Sequence, residues 1–389
     1  MDKSKARSIL IITCIGFFSF GLLWAAIGPL LAQFADRNGT NLATIGGIYS
    51  TVFLGAVSAQ IILGPLTDRW GQLRTLTFSL LTLALGIAGV SFSTWLPLTF
   101  FLAFLAGLGQ GLTNLSGNVM IGQIYKEKSV SAVNLINVFF GIGAFIGPLL
   151  VSAALHLWKN GFPALWFSTL LMAVVAMIFL LGYFNEPVGA QNQSDTQTKE
   201  KRIHISPFLW SLGAMLLLYV GAESAMGGWA TTYMLKTTAL NIEIAALVAS
   251  GFWLAITLGR ISGTLLGSHL SAKRILTLCL LVLSFGTILF LVSYGQTALS
   301  IVAIFLIGLG MGAIYPTGMA MMTSTYPNNA GKAASLITAM GAVGGMVLPW
   351  LQGVVMENAS IRAGTITFAI FIVLMVISFG VNQKLSKQI

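Results

Sequence analysis

Apolar residues along this chain neither alternate at the period of a strand nor recur as one stripe of a surface helix. They gather in long runs broken by short polar steps, over residues 8–34, 42–66, 75–93, 97–124, 130–157, 163–184, 207–235, 243–267, 273–293, 299–325, 331–356 and 363–382. About 20 mainly apolar residues wound as a helix cross about 30 Å of hydrocarbon, and a helix bonds its own backbone where no water can. The pattern therefore predicts an all-α membrane protein with twelve transmembrane helices. A mean hydropathy of +0.89 and a charged fraction of 8% agree.

The polar steps fix an orientation, because cytoplasmic loops carry the excess of Lys and Arg. With both termini inside, fifteen basic residues fall on the cytoplasmic side, from Lys3 and Arg7 through Lys126 and Lys128 to Lys384 and Lys387. Arg37, Lys159, Lys236 and Arg362 fall on the other. That asymmetry absorbs the formal charge of +10, and no basic stripe interleaved with aromatics points to nucleic acid. The opening MDKSKARSILIITC runs on into apolar sequence without a small-residue cleavage site, so it reads as a retained first helix. Cys14 and Cys279 lie inside spans in opposite halves and imply neither a disulfide framework nor a metal site.

The longest polar stretch, Asn185 to Ser206, has no hydrophobic periodicity and reads as a cytoplasmic linker. It divides an N-terminal six-helix bundle, 1–184, from a C-terminal one, 207–389, with 185–206 between. The halves resemble each other. A shift of 201 residues lays Gly107, Gly109, Gly111 and Gly117 on Gly308, Gly310, Gly312 and Gly318, then Tyr125 on Tyr326, Gly143 on Gly344 and Pro148 on Pro349. Small residues at such spacings let helix backbones approach closely in lipid. Two similar bundles can rock about a shared site and open it to one side at a time.

Two charges lie well inside the spans, Glu223 and Arg260. A charge at the bilayer centre costs about 2.5 to 3.5 kcal/mol on insertion scales, so such residues face protein or water and commonly serve transport. Glu223, near mid-membrane, is the candidate proton-coupling carboxylate. The structural alternative is a carboxylate tied permanently to Arg260 or to backbone. Counting residues leaves the two at depths about 7 to 8 Å apart, so sequence does not pair them. Gln110, Asn114 and Asn118 recur at i, i+4 and i+8 along one face of a helix, and Asn134 and Asn137 make a second polar step. Amides donate and accept, as recognition of solute hydroxyls requires. Trp24, Trp229, Trp253, Tyr315 and Trp350 add flat apolar surfaces with a polar edge. The alternative is that these amides join helices and these aromatics sit at interfaces.

The segment GPLTDRWGQLR, with Gly64, Asp68, Arg69, Gly71 and Arg74, resembles the signature that follows the second helix in the major facilitator superfamily. Gln72 and Leu73 stand where that signature is often basic. The resemblance implies twelve helices in two pseudo-symmetric six-helix bundles, and that Asp68 meets the positive end of the eleventh helix to fasten the halves while the outside is open. Helix dipoles favour such a carboxylate by about 0.3 to 1 kcal/mol. The alternative is a turn with topogenic charge. GRISGTLLGSHLSAKR, from Gly259 to Arg274, keeps the basic end but no matching acid, and the resemblance favours Arg260 as a gating element.

YVGAESAMGGWATTYM, AVNLINVFFGIGAFIGPLL and LTNLSGN are similar to the seventh, fifth and fourth helices of the bacterial fucose and glucose proton symporters. Asn137 replaces a common His there, and Asn114 stands where that group carries an acid. This implies a monomeric carrier in a bacterial cytoplasmic (inner) membrane, among membrane lipid, moving protons together with a small polar organic solute, a hexose being one candidate.

No nucleotide cradle of the GxxxxGK(S/T) type, no HExxH and no CxxC occurs in the sequence, so neither ATP hydrolysis nor chemistry on the solute is expected, and no cofactor. Proton-coupled uptake is the leading expectation. Proton-coupled export of drugs or metabolites is the alternative, favoured by Gly143 to Pro148 and by the missing acid at Asn114. Facilitated diffusion follows if Glu223 is structural.

Overall fold

A computed structural model describes residues 3–64, 67, 70–183, 206–267, 269–326 and 330–385. The expected linker up to residue 205 and two members of the signature, Asp68 and Arg69, lie outside the described residues. Twelve helices there are long and apolar enough to cross a membrane, and this is a multi-pass membrane protein. We number them α1 (Lys3–Arg37), α2 (Leu42–Leu63), α3 (Gln72–Phe92), α4 (Leu96–Tyr125), α5 (Ser129–Trp158), α6 (Phe162–Gly182), α7 (Pro207–Thr237), α8 (Ile242–Leu266), α9 (Ala272–Val292), α10 (Thr297–Thr325), α11 (Ala330–Asn358) and α12 (Ile361–Leu385). No described residue is in a strand.

Local chemistry sets several of the ends. The Asn41 side chain accepts from Thr44 N–H at 2.8 Å and caps α2. Ser206 caps α7, with Pro207 in the first turn where a missing N–H costs nothing. Two irregularities were not legible in the apolar runs. The last turn of α2, Ala59–Leu63, is a π-helix, and α10 is interrupted by a turn at 312–313. Pro316 explains the second, since it cannot donate back to the Gly312 carbonyl.

Gly71, just before α3, adopts φ +86° and ψ 141°, a conformation open to glycine alone. Gly71→Ala is therefore expected to lower stability by about 2 kcal/mol, read as a lower melting temperature in detergent.

The chain falls into two compact units, Met1–Asn192 with Ile242–Ser250, and Gln193–Asn241 with Gly251–Ile389. The first stretch of α8 thus groups with the first unit, where Glu243 accepts from Lys159 Nζ at 2.9 Å and lies 3.4 Å from His156 Nδ1.

The glycines repeated in sequence do the same work in each unit. In the first, a Cβ on Gly107 or Gly111 would sit under 3.0 Å from the α2 carbonyls of Val52 or Ala56, and one on Gly109 would strike Leu83 N in α3. In the second, Gly308 and Gly312 meet the α8 carbonyls of Phe252 and Ile256, while Gly310 meets Leu283 N in α9. Gly143 lies against Phe18 of α1 and Gly344 against Leu217 of α7 in the same manner. The partners sit 199 or 200 residues apart, so the repeat in the sequence is a repeat in the packing.

Polar anchors are repeated too. Tyr125 Oη donates to Ala6 O at 3.3 Å at one end of the first unit. The Tyr326 hydroxyl bonds Ser206 Oγ at the corresponding place in the second.

Candidate functional site

Glu223 lies midway along α7. Tyr219, one turn earlier on the same face, donates its hydroxyl to Glu223 Oε1 at 2.9 Å. Arg260 of α8 donates Nη2 to the same oxygen at 3.3 Å. The two charges that the sequence left at different depths are therefore an ion pair, because the long arginine side chain makes up the axial difference. The Glu223 side chain is 15% exposed and the Arg260 side chain 32%, so both are largely withdrawn from water yet neither is sealed. The Tyr315 ring of α10 lies 5.9 Å from that of Tyr219, extending the cluster. Tyr219 is the member that sequence reasoning did not single out for this site. Its signal was the i, i+4 spacing to a buried acid.

An arrangement of this kind can hold or release one proton. With the carboxylate ionised the pair is neutral overall, and a proton on Glu223 would leave Arg260 as a lone positive charge. Such a change alters which helix contacts are favourable, and that is the requirement for coupling a proton to a conformational step.

In the first unit the amides form a chain. Asn118 Nδ2 donates to the Asn114 carbonyl at 2.7 Å and to Asn114 Oδ1 at 2.8 Å. Asn118 Oδ1 accepts from Asn137 Nδ2 at 3.1 Å, and the same Nδ2 reaches Val133 O at 2.9 Å. Asn118 thus holds its neighbours in position, Asn114 is exposed, and Asn134 is exposed beyond this chain. Gln110 and Trp24 line one small cleft with Phe20, Val52, Leu83 and Ile87. The Trp24 ring stands edge-on to Tyr49 and Phe53, at 5.7 and 5.6 Å.

The aromatic candidates of the second unit separate into different environments. Trp229 is buried and donates Nε1 to Pro349 O at 2.8 Å, filling the space beside Gly353. Trp253 is also buried, against Phe252 at 5.4 Å between centroids. Tyr315 is half-buried, and Trp350 is 45% exposed. Of the signature, Gly64 ends the π-helical turn of α2, Gly71 precedes α3, and Arg74 is exposed in the first turn of α3. Among the described residues no group of three or more His, Cys, Asp or Glu side chains could hold a metal ion.

Comparison with known proteins adds a family and a set of relatives. The model of the Major Facilitator Superfamily matches residues 13–293 and, in a second match, 212–387. The glucose/mannose transporter GlcP of Bacillus subtilis (strain 168) is 25% identical over 393 residues, covering 95% of this chain and 93% of the relative. The sodium-dependent glucose transporter 1 of Homo sapiens is 23% identical over 375 residues, covering 88% and 72%. Among solved structures, the nucleoside transporter NupG superposes with a TM-score of 0.77 at 15% identity, covering 97% of this chain and 99% of that one. The E. coli fucose:proton symporter FucP gives 0.63 at 18% identity, covering 96% and 99%. These structural likenesses carry the fold.

Proposed function

Starting from a chain that belongs to the Major Facilitator Superfamily, we propose that it is a secondary transporter that takes up a sugar or a similar small polar solute together with a proton, by alternating access. The observation that carries this reading is the Tyr219–Glu223–Arg260 cluster, a titratable acid held inside the span by one counter-charge and one hydroxyl. The names of the glucose/mannose and fucose relatives support a sugar, with a hexose the first candidate. Glu223 is the coupling group in this reading, and Arg260 its gating counter-ion. The exposed or half-buried amides and aromatics, Asn114, Asn134, Asn137, Gln110, Trp24 and Tyr315, supply the solute contacts. The protein works as a monomer in a bacterial cytoplasmic membrane with both termini inside, a reading that the distribution of basic residues supports.

One proton descending 100 mV supplies about 2.3 kcal/mol, enough to concentrate a neutral solute about 50-fold. Proteoliposomes carrying D-glucose, D-mannose or L-fucose test this directly. The wild type is expected to exchange at least one of these in counterflow and to accumulate it under an imposed proton gradient. Glu223→Gln should keep the exchange and lose the accumulation. Accumulation that persists in Glu223→Gln would show that Glu223 does not couple the proton, and efflux driven by proton entry would establish the exporter instead.

A further inference from the structure

Buried N–H and O–H groups almost always find a partner. Trp229 obeys, through Pro349. Trp253 does not: it is 4% exposed, and its indole Nε1 has no hydrogen-bond partner among the described residues. Thr231 of α7 is 3% exposed, and its Oγ1 is likewise without one. Several buried helical threonines return their hydroxyl to the carbonyl four residues back, as Thr13 does to Ile9 at 2.7 Å and Thr287 to Leu283 at 2.8 Å. The Thr231 hydroxyl leaves the equivalent Gly227 carbonyl alone.

Trp253 packs on α7 at Gly227, one helical turn before Thr231. A Cβ on Gly227 would sit 2.8 Å from Trp253 Cζ2, so the indole rests on α7 where that helix has no side chain. Thr231 is four residues further along, on the same face, one turn of about 5.4 Å away. An indole that can only donate therefore packs on the face of α7 that carries a hydroxyl able to donate and accept. Neither has a bond to give up among the described residues. This is the condition in which a ligand hydroxyl gains most from binding, and in which an analogue lacking that hydroxyl is rejected most strongly.

We infer that Trp253 Nε1 and Thr231 Oγ1 form a hydroxyl-reading subsite for the transported solute. The indole N–H donates to one solute hydroxyl oxygen, and Thr231 accepts that hydroxyl's proton. Gly227 is the positioning residue that admits the indole. The inference rests on the carrier reading above and names what the second unit recognises: a neutral polyhydroxylated solute, through one particular hydroxyl.

The test uses full-length protein in proteoliposomes and counterflow, which needs no proton gradient, so its result is independent of whether Glu223 couples. Half-saturation is measured for whichever of D-glucose, D-mannose and L-fucose the wild type exchanges, and for the monodeoxy analogues of that sugar. Trp253→Phe keeps a flat ring without the N–H, and Thr231→Val keeps the shape without the hydroxyl. Each is expected to raise half-saturation for the parent sugar by about tenfold. For one monodeoxy analogue, already weak on the wild type, neither variant should cause a further loss. Because Thr231→Val removes a buried hydroxyl that has no partner and keeps its shape, the melting temperature of that variant should hold or rise. Losses below about twofold in both variants, or equal losses for the parent and every deoxy analogue, would overturn the subsite. Failure of the wild type to exchange any of the three sugars would sink the sugar-carrier reading and the subsite with it.

Discussion

Glu223→Gln is expected to lower the stability of the protein by about 3 kcal/mol, Arg260→Gln by less, and the double variant by less than Glu223→Gln alone. Removing one partner of a withdrawn ion pair leaves the other charge desolvated without compensation, whereas removing both leaves neutral groups. Partial exposure of both side chains places the loss at the lower end of the range for buried pairs. The two single variants differ because the orphans differ. A carboxyl can be neutralised by taking up one proton, whereas a guanidinium stays charged. Urea unfolding of the four proteins in micelles closes the cycle, and a coupling energy near zero would remove the pair from any account of stability or transport. The double variant is also the sharper transport control, since it should be folded, competent in exchange and unable to accumulate solute against a gradient.

What the sequence made legible follows from how many physical variables each feature depends on. The twelve spans depend on one, the transfer of apolar surface, and the helix ends fall within a few residues of the apolar runs. The glycine register was legible because a close backbone approach admits only one residue type, so Gly107, Gly111 and Gly143 mark the same contacts as Gly308, Gly312 and Gly344. The bond from Asn118 to Asn114 was implicit in the i, i+4 spacing. The Glu223–Arg260 pair was hidden because position along a helix gives depth alone, while tilt and the reach of a long side chain decide contact. Trp229 and Trp253 are the same letter in similar surroundings. Only packing distinguishes the indole whose N–H is bonded to Pro349 from the one whose N–H meets no acceptor among the described residues. The π-turn of α2 left no trace in hydropathy, and the bend of α10 had its signal in Pro316, inside a run otherwise apolar enough to mask it.

The matched glycines also set the largest structural effect to be expected from single substitutions. Gly143→Val and Gly344→Val should each abolish recovery of monodisperse protein by gel filtration. A Cβ at either position would overlap backbone deeply, the Phe18 carbonyl in one unit and the Leu217 carbonyl in the other, and backbone cannot rotate away as a side chain can. The helix pair would have to separate by more than 1 Å along its contact, and in lipid that contact is what holds helices together. Gly251→Ala is the internal contrast. It is also a helical glycine in an apolar span, but a Cβ there meets nothing within 4 Å. Alanine should therefore be tolerated, and should stabilise by about 0.5 to 1 kcal/mol through the lower flexibility of the unfolded chain. If valine were accepted at 143 or 344, the correspondence between the two packing registers would lose its physical basis, because the close approach that only glycine permits is what the repeat in the sequence encodes.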